Sequence, residues 1–444
     1  MTPASSSEAP AAPAAPVVPS AGFEPHPLRN FVLSEMLARP FTLMPNVHRV
    51  LHFAFMPEGE ARASDRRALR ALCQSRGLPG PASGAKYYRA DLGDVILRWE
   101  GHSEFTTYTF EVPASPADEP FQPGAADYLH LMQQFPQPGP ILAMVDLHIL
   151  PASTQASVLS GAPVQDLAIA DVEDGAARIV TNFQAGNDGF VRIAILDRSL
   201  TPAQTGALTQ RVLEIETYRT LALLGLPLAQ ELGPRIRQIE LQLPNLMNEM
   251  RATGTIAANR DLLDRLTALA AELETDAAAS SYRFGATRAY GELVRLRLEA
   301  IGERALPGSI TWSGFLNRRL SPALRTVSTM ETRQDQLSRK LSRAAQLLRT
   351  RVEIDLETQN GEVLRAMNDR ARLQLRLQQT VEGLSVAAIS YYIASLAHHV
   401  FEGIHAAGWH VDPLIATAVS VPVSLALVAY VVWRIRHHHT DVNL

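Results

Sequence analysis

Apolar positions between residues 24 and 200 come in short runs, several of them alternating with polar ones. Such runs predict strands over 47–55, 87–92, 94–100, 103–112, 141–150, 165–172, 178–183 and 189–196. In 103–112, Phe105, Thr107 and Thr109 fall on one face and Thr106, Tyr108 and Phe110 on the other. Two short helices are predicted, one over 64–76 with Ser64 as cap and Gly77 as stop, the other over 126–135. Strands outnumber helices and short turns join neighbours. The expected architecture for 23–200 is therefore an α+β domain on a mixed or antiparallel sheet rather than a doubly wound one.

At Thr201 the period changes from two to about 3.6. Thr201-Pro202 reads as a cap with proline at the first helical position, and Leu208, Val212 and Ile215 continue the helical spacing. Pro227, Pro234 and Pro244 are expected to bend or divide this stretch. Leu262, Leu266, Leu269 and Leu273 form a stripe, and a further helix over 281–304 is closed by Pro307-Gly308. Residues 201–320 thus read as packed helices. Ser321-Pro322 reads as a second start, opening a stalk helix over 321–382. Its apolar positions, among them Leu337, Leu341, Leu348, Val352, Leu356, Val363, Met367, Leu377 and Val381, recur at helical steps. Some sixty residues of helix would reach about 90 Å. Its apolar stripe needs partners along its length, either the preceding helices or neighbouring subunits.

Two stretches, about 383–401 and 414–433, are predominantly apolar and near the roughly 20 residues that cross a bilayer. Between Arg376 and Arg434 there is no Lys or Arg. The connection is too short for a domain, so the expected structure is a two-helix transmembrane hairpin with the lipid bilayer as partner. Arg365, Arg370, Arg372 and Arg376 precede it, and Arg434 and Arg436 open a short basic tail over 434–444 that includes His437-His438-His439. The positive-inside rule then puts both termini in the cytoplasm and the loop outside a bacterial inner membrane. Tyr430 and Trp433 suit the inner interface, and Trp409 the outer one. The competing reading is a buried helical hairpin in a soluble protein. In the first stretch Ala387, Ser390, Ala394 and Ala397 share a face, which serves close helix packing or lines a narrow pore.

The composition, 46% hydrophobic and 19% charged with a formal net charge of −4, fits a chain with a real core and no nucleic-acid partner. Arginine far outnumbers lysine, which occurs only at Lys86 and Lys340, a bias of composition rather than chemistry. The one cysteine, Cys73, can form neither an internal disulfide nor a cysteine zinc site. Residues 1–22, rich in Pro, Ala and Ser, lack the basic start and apolar run of a secretory peptide and read as a disordered tail. His398, Glu402 and His405 share a helical face at the outer end of the first apolar stretch, with His399 beside them and His410 and Asp412 just beyond. Imidazoles with a carboxylate suit a divalent metal, or attract a cation to a mouth; equally they mark the point where the helix meets water. Other polar pairs, such as His102 with Glu104, have no catalytic spacing, and Gly186-Asn187-Asp188-Gly189 is a turn. Phosphate-loop, zinc-protease, nucleophile-elbow and dinucleotide motifs do not occur, so neither enzymatic activity nor a cofactor is expected.

The runs His26-Pro27-Leu28-Arg29, Ala38-Arg39-Pro40-Phe41, Glu104-Phe105-Thr106-Thr107-Tyr108-Thr109-Phe110, Glu214-Ile215-Glu216-Thr217-Tyr218-Arg219 and Val381-Glu382-Gly383-Leu384-Ser385-Val386 resemble a bacterial membrane-anchored family known as domain of unknown function 3422. The resemblance runs from about residue 24 to 435. It implies a membrane location and no particular activity. The order of parts is also similar to CorA-type magnesium transporters, which are pentamers whose first span lines the pore. That likeness would place Gly403 and His405 at an outer mouth, and Ser390 and Ala394 along the pore. The transporters' Gly-Met-Asn signature is replaced here by Gly403-Ile404-His405. Two functions follow as expectations. One is a homo-oligomeric channel or transporter with a divalent cation as cargo. The other is a membrane-tethered scaffold or sensor whose cytoplasmic domain binds a protein partner.

Overall fold

The computed structural model describes residues 26, 28–29, 32, 42–44, 48–115, 119–159, 166–408 and 412–440, without the side chains of Arg62 and 435–440. The expected tail over 1–22, the run 38–41, Trp409 and His410 lie outside the described residues, as do the side chains of Arg436 and His437 to His439. The chain forms two compact units, Met1–Leu246 with Thr267–Ser342, and Met247–Leu266 with Arg343–Leu444.

The first unit is built on one mixed sheet in the order β2-β3-β4-β1-β5-β8-β7-β6-β9. Its strands are β1 His48–Phe55, β2 Tyr87–Asp91, β3 Ile96–Gly101, β4 Thr106–Pro113, β5 Ile141–Pro151, β6 Ala168–Val172, β7 Ala177–Ala185, β8 Val191–Asp197 and β9 Arg304–Ala305. Two antiparallel halves meet at the parallel pairing of β5 with β8. Helix α1, Ala61–Ser75, and the short α2, Leu129–Gln133, follow β1 and β4; α3 is Gln155–Leu159. The region after β8 is helical: α4 Pro202–Leu223, α5 Gly225–Ala252 and α6 Ile256–Ala300, then α7 Trp312–Ala406 and α8 Pro413–Thr440.

The alternation along β1 explains how both sheet faces are used. Leu51, Phe53 and Phe55 enter a core with Leu97, Trp99, Tyr108 and Phe110, which Leu69 and Cys73 of α1 and Met132 of α2 complete. Val50 points the other way, into a core with Val145, Leu147, Ile193, Ile195 and the α4 residues Leu208, Val212 and Ile215. Tyr290, Val294 and Leu298 of α6 and Trp312 and Phe315 of α7 close this second layer. Each such side chain, fully buried, stabilises the fold by about 1.5–3 kcal/mol. Asp65 ties α1 to the sheet, accepting from Trp99 Nε1 at 3.0 Å and from Tyr108 OH at 2.6 Å. On the same face Arg49 forms a bidentate pair with Asp146, 2.8 Å for each bond, and donates to the Pro123 carbonyl at 2.6 Å.

Several sequence expectations shift. Ser64 lies inside α1, whose cap position is Glu60. Thr201 does cap α4, with a full capping box to Gln204. Pro234 and Pro244 are carried within α5, and the break falls at Leu224. The leucine stripe over 262–273 and the helix expected over 281–304 belong to one helix, α6, which ends at Ala300. The long helix starts at Trp312 rather than Ser321: Glu303 accepts from the Trp312 and Ser313 amides at 2.8 and 2.9 Å, and Thr311 Oγ1 accepts from Gly314 at 3.0 Å. These bonds satisfy the free amides of the first turn, and Pro322 is accommodated inside the helix.

In the second unit Leu262 and Leu266 are buried, as are Leu348 and Val352. Arg351 donates to the Met250 carbonyl at 2.7 Å and Asn259 to Asp355 at 3.1 Å. Beyond Val352 the helix is exposed almost throughout to Gly383. The end of α7 then runs antiparallel to α8: His398 Nδ1 lies 2.9 Å from Thr417 Oγ1, and Val432 borders a groove with Val381 and Ser385. These two helices are long and apolar enough to cross a membrane, and only 11% of each apolar window is buried.

Candidate functional site

Polar residues gather on the sheet face that α4 covers. On β3, Arg98 and Glu100 alternate with the core residues Leu97 and Trp99. On β4, Thr107 and Thr109 alternate with Tyr108 and Phe110. On β1, His52 stands opposite Thr109. From α4 come Gln210, Leu213, Glu214, Thr217 and Tyr218, and from the β3–β4 turn His102 and Phe105. Together they line a narrow cavity of ≈ 20 Å³, room for about one water molecule.

The hydrogen bonds fix the state of His52. Thr217 donates its hydroxyl hydrogen to the Leu213 carbonyl at 2.9 Å, so its oxygen can only accept from His52 Nε2, 3.1 Å away. Nδ1 of the neutral ring then accepts from Thr109 Oγ1 at 2.8 Å. Burial pushes the His52 pKa down to about 3, and the nearby Arg98 charge adds to the effect. Glu100 lies 3.3 Å from Arg98 Nε and 3.5 Å from His102 Nε2. Arg98 Nε nevertheless has no hydrogen-bond partner, and a water in the cavity would supply one. Gln210 donates to Glu214 at 3.1 Å, and Glu214 also pairs with Arg297 of α6.

Around this centre His102 stacks on Phe105 with centroids 4.0 Å apart. Tyr218 and Tyr290 stack at 5.7 Å, and Phe105 meets both edge-on. Glu104 pairs with Arg283 at 3.2 Å. Burial and the Glu104 carboxylate push the Tyr290 hydroxyl up. Chemically the site is closed: both His52 nitrogens are engaged and its carboxylates are partnered. It can bind α4 to the sheet and hold a water-sized guest. Nothing in the sequence marks His52, Arg98 or Glu100, because alternation alone assigns them to a solvent-facing side. The undervalued signal lay in the runs 104–110 and 214–219, which face each other across this cavity.

Of the residues singled out in the hairpin, His398 lies 3.4 Å from Glu402, and Glu402 3.5 Å from His399. His405 is exposed. Among the described residues no group of three or more His, Cys, Asp or Glu is arranged to hold a metal ion. Ser390 and Ala394 are buried and Ala397 is half-buried, whereas Ala387 and Gly403 are exposed. Ser424 and Val428 of α8 are buried as well, so the middle of the small-residue face is covered by the second helix of the hairpin.

Fold and site define a mixed-sheet α+β domain followed by helices, the last two apolar. A family model described as "Protein of unknown function (DUF3422)" matches residues 24–439, and the chain belongs to that family. No curated protein matches it.

Proposed function

We propose that this chain is a membrane-tethered scaffold or sensor, anchored by the α7–α8 hairpin, with the mixed-sheet domain exposed to the cytoplasm of a bacterial cell. The observation that carries the reading is the outward display of apolar side chains on both hairpin helices, including Leu384, Leu396, Leu414 and Ile415. A soluble protein exposing this much continuous apolar surface would aggregate, whereas hydrocarbon solvates it. The arginines at one side set the orientation, and a protein partner docks on the cytoplasmic domain. No catalytic step is part of the proposal.

A CorA-like cation transporter is the weaker reading. It needs a pore face and converging ligands, and the second helix covers Ser390 and Ala394 within one chain. Two measurements on the full-length protein separate the readings. Alkaline carbonate extraction of membranes is expected to leave the chain in the pellet, and release into the supernatant would overturn the anchor. Purified protein in liposomes is expected to pass none of magnesium, cobalt, nickel or zinc. Flux that Glu402→Ala and His405→Ala alter would replace the scaffold reading with transport.

A further inference from the structure

From Leu356 to Val381, α7 is amphipathic with no cover from any other described element for most of its length. Reading Asn360, Met367, Gln374 and Val381 as a positions puts Leu356, Val363, Arg370 and Leu377 at d, a heptad seam. Met367 is 61% exposed, and Leu377, though it borders the groove with Val432 of α8, is still 66% exposed, so the described residues do not satisfy the seam. We propose that this seam pairs with the same seam of a second copy of the chain, in parallel and in register.

Three features select that occupant. The first is charge. Within the seam's own stretch the positions beside it are uncharged from Gln359 onward: Leu364, Ala371 and Gln378 on one side, Ala366, Leu373 and Thr380 on the other. Like charges there would repel an identical helix. Glu362, Arg365, Asp369, Arg372 and Arg376 are kept on the far face, which water solvates.

The second is the pair of amides at a positions. Asn360 and Gln374 meet their own kind only when two identical helices run parallel at zero stagger, and a buried amide pair at a favours that register. Arg370 is the one charge in the seam, and its three-methylene stem lets the guanidinium reach past the apolar contact to water.

The third is continuity with the hairpin, so this step rests on the anchoring proposed above. Two copies held in one bilayer present this segment at the same height and in the same direction. An arbitrary soluble partner has no such constraint.

Disulfide trapping tests the pairing on the full-length chain in membranes. The background is Cys73→Ala, since Cys73 is the single native cysteine and is buried. Met367→Cys and Leu377→Cys probe the seam, and Arg365→Cys and Arg372→Cys the far face. All four positions are exposed in the single chain, so none disturbs its fold. Mild oxidation is expected to give disulfide-linked dimers at 367 and 377 and monomers at 365 and 372. Dimers at all four positions, at none, or on the far face alone would overturn the proposal. Fractionation of the same sample separates the two readings: protein found outside the membrane refutes the anchor, while its crosslinking pattern still decides the pairing.

Discussion

His52 gives the sharpest quantitative handle on the buried polar site. Its ring is neutral in the fold, with a pKa pushed from 6.5 down to about 3. In the unfolded chain the ring takes a proton once the pH falls below about 6.5, while in the fold it stays neutral until about pH 3. The native state is therefore favoured fully above pH 6.5 and loses about 1.4 kcal/mol per pH unit below it. At pH 5 that loss amounts to about 2 kcal/mol. His52→Gln keeps a neutral polar group beside Thr109 and Thr217 but removes the titration. The variant should be less stable at pH 7.5, and the gap to wild type should narrow by about 2 kcal/mol at pH 5. On thermal melts followed by near-UV circular dichroism this is a convergence of about 4–8 °C. Asp65, Asp146 and Glu216, whose pKa values burial raises, change stability in the opposite sense. They are common to both proteins, so the difference isolates His52. Arg98, Glu100 and His102 of the β3 side and Glu214 of α4 surround the ring in both as well. Melting curves that fall in parallel between pH 7.5 and 5 would refute the reasoning.

Asp65→Ala leaves the Trp99 and Tyr108 donors buried without an acceptor, and should cost about 2–4 kcal/mol in urea unfolding, with Asp65→Asn recovering part of it. Asp146→Ala strands the buried Arg49 guanidinium, and a loss of about 3–5 kcal/mol is expected. The double variant Arg49→Met/Asp146→Leu should lose less than that single one, because no unpaired charge remains. Gly206 lies where α4 meets the segment 42–44, and a Cβ there would sit 1.7 Å from the Thr42 carbonyl oxygen. Gly206→Ala should therefore lower the melting temperature and speed proteolysis within 42–44, whereas Gly285→Ala, with open space around its Cβ, should not.

Local chemistry made much of this fold readable. The strands of the sheet betray themselves by alternation, and Thr201 with Gln204 states the start of α4 in four residues. Long-range contacts are what the sequence hides. The start of α7 depends on Glu303, separated from Trp312 by a two-residue strand and a turn, so Ser321-Pro322 looked like the better cap. Pro234 and Pro244 each remove a helical hydrogen bond, yet Leu232, Ile236, Ile239, Leu243 and Leu246 stay buried on one side of α5 and hold it together. The polar cavity is legible only once α4 is known to cover β1, β3 and β4. Taken alone, His52, Arg98 and Glu100 have the spacing of a wet face. The hairpin pair His398 and Glu402 follows from helical spacing, since i and i+4 meet on any helix.

Insertion of the α7–α8 hairpin into a bilayer is the claim on which the functional reading stands. Cysteine labelling in intact cells tests it most directly, again in the Cys73→Ala chain. A thiol at Gly408, in the connection between the helices, should react with a membrane-impermeant maleimide from outside the cell. One at Glu357, on the exposed part of α7, should react only after permeabilisation. Labelling at 357 but not at 408 in intact cells, or protection of both with the protein recovered in the aqueous fraction, would contradict the account.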